Sequence, residues 1–132
     1  MIDLWRKKLG FPELRRQIID HAHQYRADSI VIEDMGSGTA LIQDLRHEAG
    51  MPHPIPFKPD VDKTTRMHAQ SVKIEAGHVH LPRRAEWLDE LGSELSQFPH
   101  GRHDDQVDSI SQFLNWFDQR GCYRVTIEEL LI

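Results

Sequence analysis

The run Ser29-Ile30-Val31-Ile32 constrains this chain more than any other stretch. Consecutive β-branched residues with no polar alternation fit a buried strand of a parallel sheet. A parallel strand needs crossover connections, and helical periodicity flanks this one on both sides. Upstream, Leu14, Ile18, Ile19 and Ala22 recur at helical spacing behind Pro12, which predicts a helix from Pro12 to about Arg26. Downstream, Gly36-Ser37-Gly38 turns the chain into a helix over about Thr39 to Glu48, broken by Gly50, Pro52 and Pro54. Ile55 to Lys58 predicts a short strand. Lys63 to Ala76 predicts a helix, capped by Asp60 or Asp62 and stopped by Gly77. His78-Val79-His80-Leu81 alternates with period two and predicts an edge or hairpin strand ending at Pro82. Ala85 to Phe98 is amphipathic, with Trp87, Leu88, Leu91 and Leu95 on its buried side. Asp104 to Asp118 predicts the last main helix, with Val107, Ile110, Leu114 and Phe117 as its apolar stripe. Met1 to Trp5 reads as a short strand, Cys122 to Val125 as another, and Thr126-x-x-Glu129 as a capping box. The order β-α-β-α-β-α-β-α-α predicts an α/β layer fold with a mainly parallel sheet.

At 132 residues the chain has length for one hydrophobic core. Its single cysteine, Cys122, rules out an internal disulfide and a cysteine-based zinc site. There is no apolar run of membrane-spanning length and no signal-peptide pattern at Met1, so the expected setting is a cytoplasm without a membrane partner. The net charge of −5 weighs against a nucleic-acid partner, because phosphate contacts favour a basic face. The charge is uneven, however. Lys58, Lys63, Arg66 and Lys73 fall close together, followed by Arg83, Arg84 and Arg102, while acids gather at Glu33-Asp34, Glu86 to Glu94 and Asp104 to Asp108. Lys58, Lys63, Arg66 and Arg102 are therefore candidate phosphate contacts, against the plainer reading of a solvated surface.

Ligands of open α/β sheets gather beyond the carboxyl ends of the strands, where Glu33 and Asp34 stand. Pleating sends these neighbours to opposite faces, so one of them points at a common site, unless both are loop acids beside a glycine-rich turn. Asp104, Asp105 and Asp108 open the final helix, and positions 104 and 108 share a helical face. Acids at a helix N-terminus also serve the helix dipole, and Asp104 has the position of a simple cap. Asp108 lies a turn further on, beside the apolar stripe, where a carboxylate needs a partner; a divalent metal is one candidate. Oxygen-only donors select Mg²⁺ or Mn²⁺ over zinc. Two such ions roughly 4 Å apart serve in-line phosphodiester displacement. His103 is an auxiliary candidate, as ligand, proton carrier or merely a helix-start residue. His21/His23 and His78/His80 are spaced for divergence on a helix and a shared strand face, respectively. Gly36-Ser37-Gly38 is either a phosphate-binding turn or only a turn.

These motifs resemble those of the C-terminal nuclease domain of the large terminase subunit of tailed bacteriophages and prophages. The resemblance rests on Ile32-Glu33-Asp34 with Gly36 to Leu45, Phe57-Lys58-Pro59-x-x-Asp62-Lys63, Gly77-x-Val79-x-Leu81-Pro82, and above all Gly101-Arg102-His103-Asp104-Asp105-Gln106-Val107-Asp108-Ser109. It implies a ribonuclease H-like three-layer fold with a mixed, mainly parallel sheet, over residues 1–118, followed by an extension of residues 119–132. It also implies a Mg²⁺- or Mn²⁺-dependent endonuclease cutting concatemeric viral DNA for packaging in the bacterial host cytoplasm. Glu33 then corresponds to the family's second acid and Asp105 to its third, with Asp104 and Asp108 as supporting ligands. The family's first aspartate lies on an earlier, central strand. Met1 to Trp5 aligns with a later strand, so Asp3 is not that acid, and the chain reads as N-terminally truncated. No GxxxxGK[ST] P-loop of an ATPase motor is present. The expectation is weak or no turnover alone. The expected partners are double-stranded DNA, together with the missing terminase segment, other terminase subunits or a second copy, since a sheet without its central strand leaves open edges. The competing reading is a non-catalytic DNA-binding or assembly module, a prophage remnant of the same fold. A resolvase or transposase fragment fits the Gly-Arg-His-Asp-Asp-Gln sequence less well.

Overall fold

Residues 1–120 and 130–131 are described by the computed structural model. Eight elements follow one another: α1 (Phe11–Gln24), β1 (Ile30–Glu33), α2 (Ser37–Leu45), β2 (Pro54–Phe57), α3 (Lys63–Glu75), α4 (Leu88–Gln97), α5 (Asp105–Gln119) and β3 (Leu130–Leu131). They fall into two units. One comprises Arg6–Pro59 and the described part of Thr126–Ile132; the other comprises Met1–Trp5 and the described part of Asp60–Val125.

The first unit holds the sheet, in the order β2-β1-β3 with both pairings parallel. β1 is central, as its apolar run predicts. Ile30, Val31 and Ile32 are all buried. β2 pairs along its whole length, Ile30 with Pro54 through Glu33 with Phe57. Its two prolines alternate with Ile55 and Phe57, and Phe57 offers its carbonyl to the Asp34 N–H at 2.8 Å. Pro54 and Pro56 thus occupy the outward positions of an edge strand, where a missing N–H costs no ladder bond. Ile18 and Ala22 of α1, Ala27, Ile30 and Ile32 of the β1 region, and Leu41, Ile42 and Leu45 of α2 form one core cluster. Helix spacing explains the membership: each helix presents residues three or four apart to the strand. Arg15 of α1 pairs with Asp44 and Glu48, which ties the outer sides of the same two segments.

The second unit is helical. Asp62 is the N-cap of α3, accepting from the Thr65 N–H at 3.0 Å and from its hydroxyl at 2.6 Å. Gly77, at φ +76°, ends the helix. The Gly77 and His78 N–H groups return to Ile74 and Lys73 at 3.1 and 3.0 Å, the Schellman pattern. α5 buries Val107, Ile110, Phe113, Leu114 and Trp116, and Arg120 stacks over the Trp116 ring at 4.5 Å.

Two expected strands do not form. Met1–Trp5 and the His78–Leu81 segment carry no ladder. Met1 instead donates its ammonium to the His80 carbonyl at 2.6 Å. Four residues of alternation cannot define a strand without a partner backbone, and His78, His80 and Leu81 are all exposed. α4 starts at Leu88 rather than Ala85. The expected Cys122–Val125 strand and the Thr126 capping box lie outside the described residues. β3 pairs Leu130 and Leu131 with Ile30 and Val31, a strand that the local sequence does not predict. No helix among the described residues is long and apolar enough to cross a membrane.

Candidate functional site

In the sheet unit, the chain leaves β1 at Glu33, turns at Met35-Gly36 and enters α2. Met35 N–H bonds back to the Glu33 carbonyl at 2.9 Å, and Gly38 N–H to the Met35 carbonyl at 3.0 Å. Gly36 has φ +56°, a conformation that side chains with a Cβ rarely adopt. Gly38 is required for a different reason: a Cβ there would stand 2.0 Å from the Glu33 carbonyl oxygen. The glycines therefore bring α2 against the carboxyl end of β1 and fix the backbone of Glu33.

Glu33 is half-buried at that strand end, while Asp34 has a structural role. The Thr39 hydroxyl donates to Asp34 Oδ1 at 2.7 Å, and Lys58 Nζ stands 3.4 Å from Oδ2. The Thr39 bond, with Lys58 beside it, holds the Asp34 carboxyl below its ordinary pKa of 3.8. A carboxyl whose folded pKa is depressed stabilises the fold above the unfolded pKa. That contribution disappears as pH falls through the depressed value. Thr39→Val is therefore expected to lower the thermal midpoint near neutral pH and to matter much less once the Asp34 carboxyl is protonated in acid, as measured by thermal unfolding of both proteins from neutral to acid pH.

In the helical unit, Asp104, Asp105 and Asp108 stand at the start of α5 as expected, but two of them have protein partners. Asp104 pairs with Lys63, which raises the Lys63 pKa, and Asp108 pairs with Arg66, both cations lying on α3. Arg66 is 3% exposed and each nitrogen of its guanidinium makes a hydrogen bond. Nε donates to Ser111 Oγ at 3.1 Å, Nη1 to the Val61 carbonyl at 2.9 Å, and Nη2 to Asp108. Gln112 Nε2 reaches the second Asp108 oxygen at 3.3 Å. The partner that Asp108 needs beside the apolar stripe is thus Arg66. Arg66 is therefore an interior residue where a surface phosphate contact was the expectation, and both Asp108 oxygens have protein partners in this structure. Lys73 and Asp118 make a further pair between the same helices.

The cap of α5 differs as well. Asp104 is at the N-cap position but makes no side-chain cap bond. Glu94 of α4, 5% exposed, accepts instead from the Gln106 N–H at 2.6 Å and the Val107 N–H at 3.0 Å. Glu90 accepts from Gln106 Nε2 at 3.0 Å. The sequence carries a signal for Glu94 that is easily passed over: it lies three residues after Leu91 and seven after Trp87, on the apolar side of the helix. An acid on that side needs a donor in the interior.

Asp105, Arg102, His103, Lys58 and Lys63 are exposed. Asp105 and Asp104 offer the oxygen donors that suit a hard divalent cation. Gln106 Oε1 adds a buried oxygen with no hydrogen-bond partner among the described residues. Among those residues, no three His, Cys, Asp or Glu side chains come together as a metal-holding group. His21 is buried against the Tyr25 ring, edge-on at 6.0 Å, and His23 is exposed, so that pair diverges on its helix.

No curated protein and no solved structure matches the chain. A family model does, that of the terminase RNaseH-like domain, over residues 1–117 of 132. That span contains β1 with Glu33, the glycine turn into α2 and the Asp104–Asp108 start of α5, and the α/β content with a small parallel sheet agrees with it. The chain belongs to the terminase RNaseH-like domain family.

Proposed function

We propose that the chain is a metal-dependent DNA endonuclease module of the terminase type, acting on double-stranded DNA during genome packaging, with weak or no turnover by itself. The family match across both acidic segments carries this reading. Its three-layer ribonuclease H-like arrangement, with residues 1–118 as the nuclease-like domain, is part of the same proposal. Glu33, Asp105 and Asp104 are the proposed ligands for Mg²⁺ or Mn²⁺, all oxygen donors. Such ions supply water activation and stabilisation of a leaving oxygen in phosphodiester cleavage. Asp108 is assigned a different role from the one its spacing suggests: it holds Arg66, and so keeps α3 beside α5. Lys58, Lys63 and Arg102 remain as proposed phosphate contacts, all of them exposed. His103 is an auxiliary group next to Asp104. With a net charge of −5, attraction to DNA must be local, and it is expected to weaken steeply with salt.

The test has two stages. Titration of the purified chain with Mn²⁺, followed by calorimetry, is expected to show binding that Asp105→Ala reduces at least tenfold (about the size of a lost ligand or its support). Asp105 is the informative position because it is exposed, so its loss does not open the interior. Nicking of supercoiled plasmid in Mn²⁺, lost in the same variant, would then establish the activity. Salt-sensitive DNA retention without metal binding would instead favour the non-catalytic DNA-binding module. Neither property would remove both readings.

A further inference from the structure

We propose that Glu94 is the positioning residue of the acidic segment, closing the N-terminus of α5 in place of Asp104. The inference rests on the metal reading given above. The first N–H groups of a helix have no intrahelical acceptor, and the usual remedy is the side chain at the N-cap. Here that residue is an aspartate, well suited to the task, yet its carboxylate is directed to Lys63 and makes no cap bond. The acceptor comes from another helix, at a sequence distance of 12 residues from Gln106. A single Glu94 oxygen receives both the Gln106 and the Val107 N–H, and the Gln106 side chain is held in turn by Glu90.

The arrangement has a chemical consequence. A buried carboxylate carries a desolvation cost that only good hydrogen bonds and the helix dipole offset. With that charge supplied by α4, neither Asp104 nor Asp105 is needed as a cap. Their oxygens stay at the helix start on a backbone fixed from behind. Support of this kind orients ligands without touching the metal, and its loss typically costs 10- to 100-fold (roughly) in metal affinity. Asp104 is paired with the half-exposed Lys63, so a cation bound at Asp104 would displace that ion pair, a smaller cost than breaking a cap bond in the interior.

The experiment compares Glu94→Ala with Glu94→Gln in the full chain, at a temperature where circular dichroism shows each to be folded. Glu94→Met, which fills the volume without an acceptor, replaces the alanine variant if that one does not fold. Glutamine keeps an oxygen at the two N–H groups. Amide hydrogen exchange at Gln106 and Val107 is expected to speed up at least tenfold in the alanine or methionine variant and much less in the glutamine variant. Mn²⁺ affinity is expected to fall by about tenfold or more in the former and to recover to within about threefold in the latter. Unchanged exchange at Gln106 and Val107 would overturn the assignment of the cap. Faster exchange with unchanged Mn²⁺ affinity would overturn the positioning role and leave Glu94 a purely structural group. A wild-type chain that binds no Mn²⁺, while Glu94→Ala still deprotects these amides, would overturn the metal reading and the positioning role together, with the cap itself intact.

Discussion

Replacing Arg66 with alanine is expected to destabilise the fold by about 3 kcal/mol, the lower end of the range for removing one partner of a buried ion pair, because Asp108 keeps some access to solvent. The measurement is the shift of the urea midpoint at unchanged slope. The reason lies in what the guanidinium leaves behind. Asp108, Ser111 and the Val61 carbonyl each lose a donor in an environment where Arg66 is 3% exposed. Arg66→Lys is expected to recover little of this, because one ammonium cannot replace a planar fork that bonds three groups in different directions. Asp108→Asn is expected to be milder, since an amide oxygen still accepts from Nη2. A joint change to apolar residues, Arg66→Met with Asp108→Leu, is expected to restore much of the loss by removing both charges at once. If Arg66→Ala proves neutral, the α3–α5 pairing described above is wrong. The result also bears on how activity assays should be read. Loss of function in an Asp108 variant would not separate a damaged interior from a lost ligand, whereas the exposed Asp105 tests the proposed site without opening the interior.

Gly38→Ala is expected to cost about 3 kcal/mol, the upper part of the range for overpacking a close contact. The new Cβ would be 2.0 Å from the Glu33 carbonyl oxygen, 3.2 Å from its carbon and 3.4 Å from Ile32 Cγ2. Neither backbone can yield cheaply. β1 is paired on both sides and α2 is packed into the core through Leu41, Ile42 and Leu45. The same substitution at Gly92, where a Cβ meets no neighbour, is expected to be neutral or slightly stabilising through helix propensity, and serves as the control. Because the displaced atoms belong to Glu33, a folded Gly38→Ala protein should also bind Mn²⁺ less well if Glu33 is a ligand. A stability loss near zero would mean that α2 does not approach β1 as described.

Local pattern explains how much of this molecule its sequence reveals. The positions of α1, α2, α3, α4 and α5 follow from side-chain periodicity, because one face of each helix must be apolar to be buried. The Ile30-Val31-Ile32 run places β1 in the middle of a parallel sheet, and Gly77 and Asp62 mark the ends of α3 through conformational and hydrogen-bonding preferences that act over three or four residues. The acids at Glu33 and Asp104–Asp108 are likewise visible as a pattern, and the family match over residues 1–117 includes them.

What the sequence did not determine is which groups those acids serve. Met1–Trp5 and His78–Leu81 have strand-like alternation, yet a strand exists only where another backbone completes its hydrogen bonds, and here none does among the described residues. Asp108 has the spacing of a metal ligand, and α3 brings Arg66 to it from 42 positions away. Asp104 looks like a cap until α4 delivers Glu94 to the same N–H groups. Spacing along a chain fixes the faces on which side chains lie, because the backbone geometry of a helix or strand is local. The partner of a charge is chosen by docking between elements, and only the tertiary structure decided that Asp108 meets Arg66 and that Glu94 meets the first N–H groups of α5.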